Sequence, residues 1–374
     1  MARLRDDDAC PGALQTHSAA DGELARLRLP GGVMTAHQME SIALAAIDFA
    51  ASTLELTSRG NVQIRGVRDP AAVADILSAE GLLPSPSHER VRNIVASPLS
   101  GRSGGLCDTR ELVADLDARL RQDPLLARLP GRFLFGIDDG RGDISGLGPD
   151  VGIHAVDNAT AALLLAGRDS GVRVAIPDAV GQMLEIARRF AEIRGKSWRV
   201  RELEDTAALL DGLRPTAPAG KTWPAQSRPP VGWIEQNDGR IALGAAIPLG
   251  VLDAEVARYL AAVEAPITVT PWRSVVLFDL DEGVADVALR VLAPLGLVFD
   301  EDSAWLSLSA CTGSPGCSHS VADVRADAAA ALDTDVSVHR HFVGCDRACG
   351  SPPIGQVLVA TADGYQVRGN SPVG

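Results

Sequence analysis

Two short stretches, ACTGSPGCSHS (310–320) and FVGCDRACGSPP (342–353), carry four of the six cysteines of this chain. They form a C-x5-C pair followed by a C-x3-C pair: Cys311 with Cys317, and Cys345 with Cys349. Two loops with two thiolates each can supply the converging ligands of a [4Fe–4S] cluster, and the nearby glycines let backbone approach inorganic sulfide closely. Spacing alone leaves two alternatives open. One is a structural zinc site, whose cysteine pairs usually sit closer together, and the other is disulfides, which require an oxidising compartment.

The segment LELTSRGNVQIRGV (54–67) has alternating polar residues that predict one face of a strand: Thr57, Arg59, Asn61, Gln63 and Arg65. An exposed strand surface usually explains such a pattern. Arginine forks also bind carboxylates bidentately, so a ligand that bears several carboxylates is the second interpretation.

Together these stretches resemble the sulfite and nitrite reductase hemoprotein superfamily. The resemblance implies that the four cysteines hold a [4Fe–4S] cluster and that Cys349 faces a tetrapyrrole pocket. It also implies tetrapyrrole binding by the residues of the polar strand, Arg59, Asn61, Gln63 and Arg65. VRNIVASPLSG (91–101) and LPGRFLFGIDDG (129–140) continue the resemblance and add Arg92 and Arg132 on the distal side of the tetrapyrrole. Arginine stands at 132 where the reductases often carry lysine, which departs from the pattern for sulfite or nitrite reduction.

The opening segment, DDDACPGALQTHSAADGELARLRLPGG (6–32), resembles one branch of this superfamily, the precorrin-3B synthases of aerobic cobalamin biosynthesis. These monooxygenases use dioxygen to hydroxylate precorrin-3A at a meso carbon and form a γ-lactone. The resemblance implies a [4Fe–4S] cluster and a mononuclear non-heme iron as cofactors, with precorrin-3A and dioxygen as substrates. A ferredoxin or reductase is the expected electron donor, since the chain has no G-x-G-x-x-G nucleotide motif. The alternatives are a siroheme-dependent nitrite or sulfite reductase and a non-catalytic tetrapyrrole or Fe–S carrier.

The sequence does not assign catalytic residues or ligands of a mononuclear iron. Such an iron takes histidine and carboxylate ligands, and the candidates are His319, His339, His341, Asp138, Asp139 and Asp143. A surface acidic turn explains the aspartates equally well. The two remaining cysteines, Cys10 and Cys107, are interpreted as ordinary thiols.

The chain contains an internal repeat at an offset of about 214 residues. Residues 21–46 parallel 238–262, residues 54–67 parallel 267–280, and Ser97 falls opposite Cys311. The expected fold is therefore α+β and pseudo-twofold, with two small ferredoxin-like half-units and two larger α/β units around a central tetrapyrrole pocket. The predicted boundaries are 15–82 for the first ferredoxin-like half-unit, 90–213 for the first tetrapyrrole-binding α/β unit, 214–231 for a Pro-rich linker, 232–300 for the second half-unit and 301–374 for the Fe–S-binding unit.

Composition agrees with a globular oxidoreductase. The chain has 374 residues, of which 46% are hydrophobic, enough for a large core. A net charge of −13 argues against nucleic acid as a partner. No apolar run approaches a membrane span and the N-terminus lacks the apolar core of a secretory signal, so a cytoplasmic location is expected, without membrane partners.

Overall fold

The computed structural model describes residues 10–332 and 338–368. The predicted opening segment thus begins outside the described residues at 6–9, and parts of 301–374, namely 333–337 and 369–374, also lie outside them. The helices are α1 (Ala36–Phe49), α2 (Pro70–Ala79), α3 (Arg110–Gln122), α4 (Ala179–Ile193), α5 (Ala254–Ala261), α6 (Glu282–Leu292) and α7 (Val324–Ala330). The strands of the first half are β1 (His17–Ala19), β2 (Gly22–Leu27), β3 (Val33–Met34), β4 (Thr53–Leu56), β5 (Val62–Val67), β6 (Ile94–Ala96), β7 (Phe135–Asp138), β8 (Val151–Ala155), β9 (Thr160–Leu165) and β10 (Arg168–Ala175). The strands of the second half are β11 (Gly232–Glu235), β12 (Ile241–Ala246), β13 (Val251–Asp253), β14 (Ile267–Val269), β15 (Ser274–Leu280), β16 (Leu308–Ala310), β17 (Arg340–Val343), β18 (Gln356–Thr361) and β19 (Gly364–Arg368).

The chain divides into two compact units that interleave along the sequence. In the described residues, the smaller unit comprises 10–12, 28–32 and 84–226, and the larger unit comprises 13–27, 33–83, 227–332 and 338–368. The cysteine loops, the second half-unit and the first half-unit apart from residues 28–32 therefore belong to the larger unit. The Pro-rich segment 214–231 contains neither helix nor strand, because proline fixes φ and removes a backbone donor.

Two antiparallel sheets of the larger unit exchange a strand with each other. The first has the order β1-β2-β5-β4-β13 and the second the order β11-β12-β15-β14-β3. Each sheet takes four strands from its own half and one short strand from the other half, which is the reciprocal exchange expected of a pseudo-twofold repeat. The helix after the exchanged strand repeats as well, as α1 after β3 and α5 after β13, and these two helices pack against each other. Thr35 begins α1 with a capping box closed by Gln38.

A third sheet of the larger unit carries the cysteine loops. Its order is β16-β17-β18-β19, with β16, β17 and β18 parallel and β19 antiparallel to β18. An apolar cluster that includes Leu308, Val324 and Phe342 joins the sheet to α7. Since parallel strands end at one edge of a sheet, the segments after β16 and β17 emerge side by side.

The smaller unit repeats this topology with one additional strand. Its sheet has the order β10-β9-β8-β7-β6, with β6, β7 and β8 parallel. The core beneath it is aromatic and aliphatic, and the ring of Phe133 lies 5.0 Å from the rings of both Phe135 and Phe190. None of the helices in the described part of the chain has the length and hydropathy needed to cross a membrane.

Candidate functional site

The four cysteines lie in two loops at the carboxyl edge of the third sheet. Cys311 follows β16 directly and Cys345 stands two residues after β17. Cys317 donates its backbone N–H to Gly313 O at 2.8 Å, which closes the first loop as a tight turn. Cys349 is the most exposed of the four, and no disulfide joins the described cysteines. The disulfide alternative is therefore wrong for this structure.

The four thiols are not gathered as closely as a single tetrahedral zinc ion requires. Among the described residues, the one group of three or more His, Cys, Asp or Glu ligand atoms within 4.8 Å of one another consists of aspartates, not of these cysteines. A tetrahedral zinc ion would hold its four sulfurs only about 3.8 Å apart, given Zn–S bonds of about 2.3 Å. A [4Fe–4S] cluster binds each thiolate through a different iron atom and therefore accepts sulfurs that lie further apart.

Cys311 is packed at the base of these loops. Its side chain lies against both apolar clusters of the third sheet. Burial raises the pKa of the Cys311 thiol and the neighbouring Cys317 and Cys345 add to the shift, while backbone N–H groups of Gly344 and Gly313 oppose it. Gly344 N lies 3.4 Å from Cys311 Sγ. An N–H that points at sulfur is suited to a metal-bound thiolate, whose charge it stabilises.

Two histidines lie behind the second cysteine loop. His341 on β17 and His339 just before it both contact Ser309 Oγ, from Nδ1 at 2.7 Å and from Nε2 at 2.8 Å respectively. They therefore face the same way, as the sequence predicts. Burial and the charge of Arg273 lower the pKa of His339 to about 4 and that of His341 to about 3, so both rings are neutral near pH 7.

The polar segment 54–67 is a hairpin, and the expectation of one continuous strand is wrong. It comprises β4, a turn over 57–61 and β5. Gly60 has φ 64° in this turn, and Thr57 Oγ1 accepts from the backbone N–H of Arg59 and Asn61. A left-handed residue reverses the chain, which alternation alone cannot reveal. Arg59 and Asn61 thus lie on the turn, and Gln63 and Arg65 on β5.

The side chains on β5 are engaged by other residues of the larger unit. Gln63 Oε1 accepts from Arg26 Nε and Nη2 at 3.0 and 2.7 Å, and its Nε2 donates to Glu55 at 2.6 Å. Arg65 is buried and donates to both carboxylate oxygens of Asp21, at 2.8 and 2.9 Å. Sequence reasoning missed Asp21, whose pairing with Arg65 spans 44 positions of the chain, and Glu55, which meets Gln63 across the hairpin.

Arg92 and Arg132 lie in the smaller unit, apart in the chain from the other predicted tetrapyrrole-binding residues. Arg92 is buried, and its Nε and Nη2 donate to the carboxylate of Asp117 at 2.6 and 3.1 Å. Arg132 is exposed, with its guanidinium carbon 5.1 Å from the ring centroid of Trp198. Asp117 is a partner that the sequence did not suggest.

The aspartates at 138, 139 and 143 are buried, so the interpretation of a surface acidic turn is wrong. Their nearest carboxylate oxygens lie within 4.8 Å of one another. Arg141 pairs with Asp139 through Nε and Nη2 at 2.8 and 2.6 Å and lies 3.8 Å from Asp143. His154, which the sequence did not single out, contacts Asp138 at 3.3 Å.

Two carboxyls of this group have pKa values shifted in opposite directions. Burial raises the pKa of Asp138, but hydrogen bonds from His154, Ser145 and Gly142 outweigh it and bring the pKa down to about 2. Burial and the charge of Asp138 raise the pKa of Asp143 to about 7. Burial, with nearby aspartates, also raises the pKa of the Cys107 thiol to about 11, in keeping with an unreactive thiol.

Comparisons with known proteins agree with this architecture. A profile described as the ferredoxin-like half domain of nitrite and sulfite reductases matches residues 17–79. The NirA protein of Mycobacterium tuberculosis has a similar structure, with a TM-score of 0.74 and 19% identity, over 92% of this chain and 74% of that chain. The chain has the sulfite and nitrite reductase fold. That fold accounts for the exchanged strands and for the cysteine loops at one sheet edge.

The similarity also extends along the sequence to curated oxidoreductases of this family. A precorrin-3B synthase from Sinorhizobium sp is 27% identical, over 96% of this chain and 81% of the relative. A ferredoxin–nitrite reductase from Synechococcus elongatus is 26% identical, over 92% of this chain and 78% of the relative. Two relatives named for different reactions are thus similar to this chain to nearly the same degree, so the similarity alone does not select the substrate.

Proposed function

We propose that this chain is an oxygen-dependent monooxygenase that converts precorrin-3A to precorrin-3B in aerobic cobalamin biosynthesis. The similarity to the Sinorhizobium precorrin-3B synthase over 96% of the chain supports this function. The observation that carries an iron–sulfur oxidoreductase is the placement of Cys311, Cys317, Cys345 and Cys349 on two neighbouring loops of one sheet edge.

The four cysteines would hold the [4Fe–4S] cluster, and the proposal includes a mononuclear non-heme iron with unassigned ligands. When bound, these groups supply single-electron transfer and activation of dioxygen. Insertion of one oxygen atom, with the other leaving as water, requires two electrons from a donor. A ferredoxin is the proposed donor, since the Synechococcus relative is named for one. Such a site needs reduced thiols, which fits the cytoplasm.

The chain's own residues would bind and orient the substrate. Arg59 and Asn61, on the turn of the first hairpin, and the exposed Arg132 belong to the proposed binding set for the carboxylates of a tetrapyrrole. Gln63, Arg65 and Arg92 complete the set, and in this structure they bind Glu55, Asp21 and Asp117 respectively. A carboxylate fixed by an arginine fork would hold one edge of the macrocycle in place, and fixed geometry supplies much of the rate in such sites.

A siroheme-dependent nitrite or sulfite reductase is the second candidate, supported by the 26% identity to the Synechococcus nitrite reductase. One observation favours the synthase over it. Arginine stands at position 132, where the reductases, by the resemblance, often carry lysine. Arginine binds a carboxylate bidentately with its planar fork, whereas lysine acts as a compact point charge.

The experiment begins with anaerobic purification from cells that make siroheme, followed by absorption and EPR spectra and by quantification of iron, sulfide and extractable tetrapyrrole. We expect cluster signals without siroheme. Precorrin-3A is then supplied with dioxygen and a reduced ferredoxin, and the product is followed by mass. A product that has gained one oxygen atom supports the synthase. Stoichiometric siroheme coupled to the cluster supports the reductase. A tetrapyrrole that binds but is not changed supports a non-catalytic carrier. Cys349→Ser serves as the matched cluster-deficient control.

A further inference from the structure

An arginine of the first hairpin forms a hydrogen bond with the loop between Cys311 and Cys317. Arg65 Nη2 donates to the carbonyl oxygen of Gly316 at 2.6 Å, immediately before Cys317. The pair of hydrogen bonds to Asp21 fixes the plane of the Arg65 guanidinium. A Cβ at position 316 would lie 3.3 Å from Arg65 Nη2 and 2.9 Å from Asp21 Oδ2, so glycine leaves the space that this contact needs.

The loop with Cys345 and Cys349 is held by an arginine on the turn between β14 and β15, which form the second hairpin. Arg273 Nη2 donates to the carbonyl oxygen of Gly350 at 2.7 Å, immediately after Cys349. A Cβ at position 350 would lie 2.7 Å from that nitrogen, and a Cβ at Gly250 would lie 2.6 Å from Arg273 Cδ. Gly250 therefore leaves room for the aliphatic part of the Arg273 side chain, and Gly350 leaves room for its guanidinium group.

Arg273 occupies a backbone conformation that disfavours a side chain. Its φ is 58°, and the equivalent residue of the first hairpin is Gly60 with φ 64°. The two turns have the same hydrogen bonds: Gly60 N to Thr57 O at 3.2 Å in one and Arg273 N to Thr270 O at 3.1 Å in the other. A non-glycine residue held there is a sign that its side chain has a role.

A histidine also contacts this loop, at Cys349, the residue before Gly350. His341 Nε2 lies 3.0 Å from the carbonyl oxygen of Cys349. Because a carbonyl oxygen only accepts, Nε2 carries the hydrogen, and Nδ1 accepts from the Ser309 hydroxyl. Ser309 Oγ in turn accepts from His339 Nε2. The ring of His341 is thus fixed in one orientation toward the loop.

We propose that Arg65 and Arg273 are positioning residues that clamp the two cysteine loops, one from each half of the internal repeat, and that His341 assists at Cys349. This inference rests on the proposed function, since it takes the four cysteines as cluster ligands. The clamps act on backbone carbonyls next to Cys317 and Cys349, so they fix where these thiolates lie. The positive charge of Arg273 also favours the cluster's more negative, reduced form, whereas the charge of Arg65 is balanced by Asp21.

The first test compares cluster retention in the reconstituted full chain. The variants are Arg65→Gln, Arg273→Gly and Arg273→Lys, with the exposed helix residue changed in Arg290→Gln as the matched control. Under excess iron chelator without oxygen, we expect Arg65→Gln and Arg273→Gly to lose visible cluster absorbance about tenfold faster than wild type. Each variant loses one charge-assisted hydrogen bond, whose free energy corresponds to a factor of about ten. Arg273→Gly should also lower the cluster's midpoint potential, whereas Arg273→Lys should keep the potential near wild type. Loss rates within twofold of wild type in both clamp variants would overturn the proposal.

The second test needs no cluster. In the apo chain, hydrogen exchange is read at the amides of Cys317 and Ser351, which donate to Gly313 O and Ala348 O. We expect about tenfold faster exchange at Cys317 in Arg65→Gln and at Ser351 in Arg273→Gly, each confined to its own loop. Unchanged exchange in both would refute the clamps. A wild-type chain that takes up no cluster would refute the proposed function instead, while this exchange pattern still decides the clamps.

Discussion

Replacing Asp143 by asparagine should stabilise the protein at alkaline pH and have little effect in acid. Asp143 is buried beside Asp138, and its pKa is raised from 3.8 to about 7. A carboxyl whose pKa is higher in the folded state stabilises the fold below the unfolded pKa, and this contribution is lost as pH rises through 7. At 1.36 kcal/mol per unit, the loss above pH 7 reaches about 4 kcal/mol. Asparagine removes the charge and keeps an oxygen that can accept from Ser97 Oγ, as Asp143 Oδ1 does at 2.6 Å.

The 4 kcal/mol is a ceiling, because Asp143→Asn also gives up the attraction of Arg141, 3.8 Å away. We expect the free energy of unfolding to rise by about 1–3 kcal/mol at pH 8 and to change by less than about 0.5 kcal/mol at pH 4. Urea unfolding at both pH values measures it, with Trp223 as a nearby fluorophore, since its ring stacks on His154 at 4.3 Å.

Asp138→Asn is the control with the opposite sign. The pKa of Asp138 is lowered to about 2, so its stabilisation is present above the unfolded pKa of 3.8 and is lost as pH falls through 2. Its carboxylate accepts backbone N–H groups of Gly142, Ile144 and Ser145 at 2.8–2.9 Å. We expect this variant to be destabilised at pH 8 by about 2 kcal/mol or more. If Asp143→Asn destabilised the protein equally at pH 4 and pH 8, the raised pKa of Asp143 and its cause, burial beside the charge of Asp138, would be refuted.

Three further changes test other parts of the structure. Asp117→Ala removes the carboxylate that accepts two hydrogen bonds from Arg92, and urea unfolding should show a loss of about 3–5 kcal/mol; a loss under about 1 kcal/mol would contradict the buried pair. Gly344→Ala would place a Cβ 1.7 Å from Ser320 Oγ and 2.6 Å from its Cβ, so iron and sulfide content should fall sharply, with partial recovery on adding Ser320→Gly; normal content would argue against this close approach. Gly60→Ala at φ 64° should lower stability by about 1 kcal/mol, whereas Gly283→Ala, a helix residue with open space around it, should not lower it; equal effects of the two would contradict the left-handed turn.

The sequence predicted that the four cysteines lie on two loops, because their spacing and their glycines are local signals, and their role as cluster ligands stays a prediction. The internal repeat could also be recognised from matching segments, whereas the exchange of β3 and β13 between the two sheets could not. Ion pairs between residues that are distant in the chain could not be predicted from the sequence. Asp117 and Asp21 are ordinary aspartates in the sequence, and only the fold brings them to Arg92 and Arg65. Their carboxylates bind the guanidinium groups of these two arginines in the folded chain.

Alternation was the least reliable signal, because it continues across a turn. In segment 54–67 the polar residues alternate through β4, the turn and β5, although the chain reverses at Gly60. The acidic segment was misjudged for a related reason: composition suggested a solvent-exposed turn, but neighbouring N–H groups, Arg141 and His154 satisfy the buried carboxylates. Arg273 had a detectable signal that was not used, namely an arginine at the repeat position of a glycine.

The two parallel-sheet units carry different side chains on the same loop arrangement. Ala96 pairs with Ile137 just as Ala310 pairs with Phe342, so Ser97 and Cys311 occupy the same place after the first strand. Asp139 N donates to Ser97 Oγ at 3.1 Å, and Gly344 N points at Cys311 Sγ at 3.4 Å.

The backbone N–H is therefore kept while the acceptor changes from a hard oxygen to a soft sulfur. In the smaller unit the following turn carries aspartates paired with Arg141, whereas in the larger unit it carries Cys345 and Cys349. Soft iron–sulfur chemistry requires thiolates, so only the second copy has the donor set for a cluster. The first copy keeps the same scaffold, with carboxylates in the place of thiols.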